Sequence, residues 1–169
     1  MRILGIDPGL QKTGWGIIDS QGHALTYVAS GTIKTRSTDP MATRLLALDQ
    51  GLSEVIAQFN PEESAIEETF VNQNPASALK LGIARGAAFL APARAGLIVA
   101  EYPANLVKKS IVGSGHASKE QIGMMVRTLL PKATPDSEDA ADALAIAMCH
   151  AHHRLSQIRM GGRMTGAAR

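Results

Sequence analysis

The first segment constrains the fold most. Arg2-Ile3-Leu4-Gly5-Ile6-Asp7 is a short apolar run that closes on an acid and is broken at once by Pro8-Gly9. Such a run reads as a buried strand with the acid at its carboxyl end. Ligands of α/β sheets gather outside the carboxyl ends of strands, so Asp7 stands where function collects. The rest of the chain fits the same sheet. Residues 14–19 and 23–33 read as two more strands, with Gln21-Gly22 as the hairpin turn between them. In Met41–Phe59 the residues Leu45, Leu48, Leu52, Val55 and Ile56 recur at spacings of three and four, an amphipathic helix that Pro61 ends. Residues 64–70 and 96–102 read as a fourth and a fifth strand, separated by an Ala-rich helix over 75–91 that runs up to Pro92. Two helices follow, Ala104–Val112 and 118–130. A last one starts near Ser137 and is expected to fade in the His-rich region after Cys149. Three strands in meander, then helix–strand–helix–strand–helices, predict one α/β domain over residues 1–155. Its sheet should be mixed and five-stranded, flanked by helices. Residues 156–169 are expected to form a basic, disordered tail.

Composition narrows the class. With 169 residues and 45% apolar content the chain can bury a sizeable core, and it is not a disordered polymer. Only six residues are aromatic, so Ala, Leu, Ile, Val and Met must fill that core. No apolar stretch approaches the ~20 residues that a bilayer requires. The N-terminus meets an acid too early for a secretory signal. A single cysteine, Cys149, leaves no intramolecular disulfide and no Cys-based zinc cluster, and a reducing cytoplasm is the predicted home. Net charge is only +2, but it is segregated: no acid follows Asp142, whereas Arg154, Arg159, Arg163 and Arg169 do. Between Pro103 and Pro135, Lys108, Lys109, Lys119, Arg127 and Lys132 face Glu120 alone. That asymmetry suits a polyanion, although a solvated basic surface would look the same.

The acids are the residues with chemistry to offer. Glu67 and Glu68 sit in an otherwise apolar strand, and successive strand residues point to opposite faces, so at most one of them joins Asp7. Parity alone does not choose between them. Asp139 and Asp142 flank Ala140-Ala141 at i,i+3, one turn apart on one helix face. Carboxylates drawn from two strands and a helix could converge into an acidic pocket, an arrangement that requires cations and suits Mg²⁺. Each acid alone has a plainer reading. Asp136, Glu138 and Asp139 fit the first turn of a helix, where carboxylates meet unpaired N–H groups. His150, His152 and His153, at i, i+2, i+3, converge poorly on a metal and are expected at the surface. Gly9, Gly14 and Gly16 could cradle a phosphate, a signal of low specificity.

A resemblance gives these residues a family. Leu4-Gly5-Ile6-Asp7-Pro8-Gly9, Thr13-Gly14-Trp15-Gly16, Ala65-Ile66-Glu67-Glu68 and Asp139-Ala140-Ala141-Asp142-Ala143-Leu144-Ala145 resemble the RuvC family of crossover-junction endodeoxyribonucleases, which resolve Holliday junctions. Ser77-Ala78-Leu79-Lys80-Leu81-Gly82, Ala84-Arg85-Gly86 and Lys108-Lys109-Ser110-Ile111-Val112-Gly113 add to it, and the likeness runs from Arg2 to His150. It implies a ribonuclease H-like fold. Its metal-binding acids fall on Asp7, Glu67, Asp139 and Asp142, which selects Glu67 over Glu68. Some relatives have His at the third of these positions, where this chain has Asp139. The resemblance places basic residues near the active site at Lys108 and Lys119, and an aromatic that stacks on a base near the crossover at Phe70. Trp15 stands where relatives often have Tyr, and reads as a packing substitution.

The implied activity is hydrolysis with two Mg²⁺ ions, about 3.5–4 Å apart in such sites, or with Mn²⁺ in their place. Asp7 would bridge the ions, Glu67 would bind one, and Asp139 and Asp142 would lie on the other side. Paired symmetric nicks in a four-way junction, leaving 5′-phosphate and 3′-hydroxyl ends, would come from a homodimer whose two-fold axis matches that of the junction. The helix over 75–91 is the expected dimer face, and RuvA and RuvB the expected partners. Three rival readings stand beside it. A phosphotransferase of the actin and hexokinase type needs a second domain, for which 169 residues leave no room. A junction-binding scaffold would not need these acids. A nuclease for RNA–DNA hybrids shares the metal chemistry and is separated only by substrate shape.

Overall fold

The computed structural model describes residues 1–68 and 74–159, with side chains as far as Ser156. The expected order of elements is present: β1 (Arg2–Asp7), β2 (Lys12–Gln21), β3 (Ala24–Lys34), α1 (Met41–Phe59), β4 (Glu63–Glu68), α2 (Pro75–Arg94), β5 (Ile98–Pro103), α3 (Ala104–Val112), α4 (Lys119–Leu129) and α5 (Glu138–Arg159). The strands form one sheet in the order β3-β2-β1-β4-β5. β1, β2 and β3 pair antiparallel, and β4 and β5 add on parallel to β1. Gly22 turns the β2–β3 hairpin at a φ of 59°, a left-handed conformation that glycine adopts without a Cβ penalty.

Each strand divides its residues between two cores. Leu4, Ile6, Ile17 and Ile66 pack with Leu52 and Val55 of α1 and with Ala88 and Ala91 of α2. Ile3, Ile18 and Ala65 pack on the opposite face against α3, α4 and α5. Alternation then assigns the acids. Asp7 follows Ile3 and Gly5, and Glu67 follows Ala65, so both lie on the α5 face, whereas Glu68 belongs to the other.

The glycines of β1 and β2 decide how closely α5 approaches. Gly5 pairs with Gly16, and Gly14 with Asp7, in adjacent strands. A Cβ on Gly5 would stand 2.0 Å from the Ala143 carbonyl oxygen, and one on Gly14 would stand 2.0 Å from that of Asp139. On Gly16 it would meet Leu144 at 2.8 Å. The helix backbone therefore rests directly on a strip of sheet without side chains. This corrects the phosphate-cradle reading of Gly14 and Gly16, which lie inside β2 beneath α5. Trp15 covers Gly31 on the other face and leans on Phe59 at 5.7 Å between ring centres, in agreement with a packing role.

Two helices run further than expected. α2 continues through Pro92 to Arg94, since a proline in the last turn removes one helical hydrogen bond, and the Pro92 carbonyl accepts from Leu97. α5 does not fade after Cys149 but continues across position 155 to Arg159. The cause is His150, which is 1% exposed and corrects the expectation of three surface histidines. Its Nε2 lies 2.8 Å from Glu63 Oε2 and its Nδ1 2.8 Å from the Tyr102 hydroxyl. Burial, partly offset by Glu63, lowers the His150 pKa. The neutral ring then donates to Glu63 and accepts from Tyr102, while Arg154 Nε donates to the second Glu63 oxygen at 2.9 Å. His152 and His153 are half-buried.

Candidate active site

Asp7 ends β1 and Glu67 lies near the end of the neighbouring β4, where Ile6 pairs with Ile66 in parallel register. The two carboxylates therefore leave the sheet side by side. α5 starts above them. Its N-terminus is held by Ser137, whose Oγ accepts from the Ala140 N–H at 3.0 Å and lies 2.6 Å from the Thr32 hydroxyl of β3. Such a cap contributes about 0.5–2 kcal/mol. Ser137 caps the helix, and Glu138 and Asp139 stand in its first turn, as expected of first-turn acids. Neither the Ser137 cap nor its Thr32 clasp was singled out from sequence, although a serine just before two acids is a recognisable helix start.

Asp7, Glu67 and Asp142 line one cleft together with Lys108 of α3 and Lys119 of α4, over a floor of Val107, Ile122 and Ala145. Asp139, one turn earlier on α5, opens onto the adjoining hollow beside Gly9, Gln11 and Lys12. The structure thus brings five of the seven expected residues into one cleft and Asp139 to its edge. Among the described residues no three His, Cys, Asp or Glu side chains are close enough together, as they stand, to hold a metal ion. Phe70 lies outside the described residues. Arg85 was quoted only as part of a motif, yet its Nε donates to the Glu67 carbonyl at 3.1 Å and its guanidinium pairs with Glu101, steadying the end of β4.

Asp7, Glu67 and Asp142 resist ionisation. Burial, then repulsion from Glu67, Asp142 and Asp139, pushes the Asp7 pKa from its ordinary 3.8 to about 8. Burial and Asp142 raise Glu67; burial also raises Asp142, against the pull of Lys119. Lys119 lies 3.4 Å from Glu138 and 3.9 Å from Asp142. Glu138, a partner of Lys119 at the cleft, was read from sequence only as a first-turn helix acid. Carboxylates crowded at this cost are a donor set for a hard divalent cation, which removes the repulsion on binding.

The comparisons agree with the geometry. The sequence model of the family described as crossover junction endodeoxyribonuclease RuvC matches residues 3–150. This chain belongs to the RuvC family. A crossover junction endodeoxyribonuclease RuvC of Azorhizobium caulinodans is 63% identical over 154 residues, 91% of each chain. That of Rhodopseudomonas palustris strain BisA53 is 58% identical over 160 residues, 95% of this chain and 92% of the relative. Among solved structures, Thermus thermophilus RuvC in complex with a Holliday junction substrate superposes with a TM-score of 0.85 at 36% identity, covering 95% of this chain and 96% of that one. The yeast mitochondrial Holliday junction resolvase Ydc2, at TM-score 0.65 and 13% identity over 94% of this chain and 82% of that one, shares the fold. The architecture is the ribonuclease H-like one expected from the sequence.

The raised Asp7 pKa has a measurable consequence in metal-free protein. The unfolded chain releases the Asp7 proton near 3.8 while the fold keeps it to about 8, so its stabilising contribution is full below 3.8 and lost as pH rises through that window. Relative to wild type, Asp7→Asn should therefore melt at a progressively higher temperature as pH rises from about 5 to about 8. Added Mg²⁺ should raise the wild-type melting temperature and close the gap. A gap that stays flat with pH would place Asp7 outside the repulsive cluster.

Proposed function

We propose that this chain is a structure-selective endonuclease that resolves four-way DNA junctions by paired symmetric nicks, in homologous recombination and repair. One observation carries the reading: Asp7, Glu67 and Asp142, from two strands and a helix, share a cleft whose other charged walls are Lys108 and Lys119. Asp7, Glu67 and Asp142, with Asp139 at the edge, would hold the divalent cation, read as two Mg²⁺ per site with Mn²⁺ as a substitute. When bound, such ions supply an activated water and a Lewis acid for the leaving 3′ oxygen. The protein's own share is positional. Lys108 and Lys119 would hold the scissile strand by its phosphates. The ends are 5′-phosphate and 3′-hydroxyl. Phe70 is proposed to stack on an unpaired base at the crossover, and residues 1–155 to act as one nuclease domain. Tests set a synthetic four-way junction beside a linear duplex and an RNA–DNA hybrid, with and without Mg²⁺. Junction-selective, Mg²⁺-dependent paired nicks are expected. Equal cleavage of the hybrid would favour the rival nuclease reading.

Lys119 gives a second measurement. Lys119→Ala should slow cleavage and reduce the slope of log affinity against log salt by roughly one unit, the signature of one lost phosphate contact. An unchanged slope and rate would make it a solvated lysine.

Symmetric nicking implies a homodimer, and α2 supplies the face. Leu79 is 66% and Leu90 52% exposed, and added Cβ atoms at Gly82 and Gly86 would meet nothing within 4 Å. A helix edge of this kind accommodates a second copy at close range. Leu79→Glu with Gly86→Glu should give a folded monomer in light scattering that nicks one strand at a time. A double variant that stays dimeric would move the interface elsewhere. RuvA and RuvB are the proposed partners and the cytoplasm the proposed location; no helix of the described residues is long and apolar enough to cross a membrane.

A further inference from the structure

Lys108 and Lys109 are adjacent on α3 but serve different places. Lys108 lines the acidic cleft, whereas Lys109 lines a separate surface pocket with Leu106 and Ser110 of α3 and His152, His153 and Ser156 of α5. No carboxylate lines this pocket, and among the described residues no ion pair is recorded for Lys109. The pocket offers the Lys109 ammonium and two imidazoles as donors to a phosphate oxygen, while the Ser110 and Ser156 hydroxyls donate to the Val107 and His152 carbonyls of their own helices.

The walls are held in place. The His153 ring stacks on Tyr102 at 5.3 Å between centres, and the Tyr102 hydroxyl is fixed by His150, itself anchored by Glu63. His152 lies ten residues beyond Asp142 on α5, so the pocket is roughly 15 Å from the acids along the helix. At ~3.4 Å of duplex axis per nucleotide of one strand, that is about four nucleotides.

We propose that the Lys109–Ser110–His152–His153–Ser156 pocket is a second backbone-phosphate site, which grips junction DNA about four nucleotides from the cleavage cleft. The inference rests on the junction-cleaving reading of the acids. Charge complementarity selects the occupant: the pocket is cationic, and the sequence concentrates positive charge in its last third. The groups facing His152 are His153 on its own helix, Lys109 and Ser110 on α3, and His23 of the β2–β3 turn, with no carboxylate among its perturbing charges. Burial lowers the His152 pKa, a hydrogen bond to the Ser110 backbone partly offsets it, and the neighbouring histidines lower it further, so a bound phosphate recruits a proton to the ring. Binding through this pocket therefore strengthens as pH falls.

The test is metal-free binding of a synthetic four-way junction by Lys109→Gln and by His152→Gln/His153→Gln, over a range of salt and pH. Lys109→Gln should weaken binding several-fold and lower the salt slope by about one unit. The histidine pair should bind with a smaller gain than wild type between about pH 7.5 and 6. The single-turnover rate at saturating enzyme should be unchanged in both, because the cleft is intact. Circular dichroism and thermal melts verify folding. Wild-type slopes and pH dependence in both folded variants would overturn the site, whatever else docks there. A wild-type protein that binds no junction would instead overturn the functional reading on which it rests.

Discussion

Replacing Asp142 by Asn is expected to reduce junction cleavage by several orders of magnitude while the protein stays folded and bound to the junction. The change keeps side-chain volume and removes one negative charge from the cleft. As a proposed metal ligand, Asp142 contributes charge that no neighbour replaces, and a metal contribution of several kcal/mol corresponds to a rate loss of that size. Folding should not suffer. Asp142 raises the pKa of both Asp7 and Glu67 by repulsion, so its loss relaxes the pair. Lys119 keeps Glu138 as a partner at 3.4 Å. Junction affinity without Mg²⁺ should hold or tighten, since one fewer carboxylate opposes the phosphate. Thermal melts, metal-free binding and Mg²⁺-dependent nicking of the one variant separate the possibilities. A folded Asp142→Asn protein that nicks at near wild-type rate would remove Asp142 from the site.

The strands, their order along the chain and the helices α1, α3 and α4 were legible because their signals are local. A six-residue apolar run and a three-and-four spacing of leucines need no distant partner to be read. The choice between Glu67 and Glu68 was not local. It depends on which face of β4 meets α5: the resemblance selects Glu67, and the pairing of Ile6 with Ile66 beside a buried Ala65 gives the physical reason. The length of α5 was illegible for a similar reason. His150-Ala151-His152-His153 reads as polar, yet His150 is sealed by Glu63, 87 residues away, and Tyr102, 48 residues away. The site acids were readable as a set through resemblance, and the structure adds their cost: a cluster in which burial and mutual repulsion hold carboxylates above their ordinary range. The glycines were seen but given the wrong neighbour. A phosphate and a helix backbone both require a surface without Cβ atoms, and the sequence does not say which arrives.

That requirement makes Gly14→Ala the sharper test of how the acids are positioned. The new methyl group would lie 2.0 Å from the Asp139 carbonyl oxygen, 2.3 Å from its carbon and 2.9 Å from the Ala140 nitrogen. All three are helix backbone, which has no rotamer to swing aside. Ordinary contact begins near 3.4 Å, so the first turn of α5 must lift away from β2 by more than an ångström. Overpacking of this kind costs about 1–3 kcal/mol, and a chain with this core should still fold. The larger loss falls on function. Lifting α5 carries Asp139 and Asp142 away from Asp7 and Glu67, and misplacement by about 1 Å is enough to cost about 100-fold in rate. The variant should therefore remain folded and bind junction DNA near wild-type strength, cleave about 100-fold more slowly, and need more Mg²⁺ for half-maximal rate. The Mg²⁺ dependence separates displaced acids from simple destabilisation, which would lower the active fraction without moving the midpoint. Gly22→Ala, at a hairpin turn with nothing within 4 Å, serves as the control that perturbs backbone conformation alone. Equal cleavage by Gly14→Ala and wild type would mean that α5 is not seated on the glycine strip.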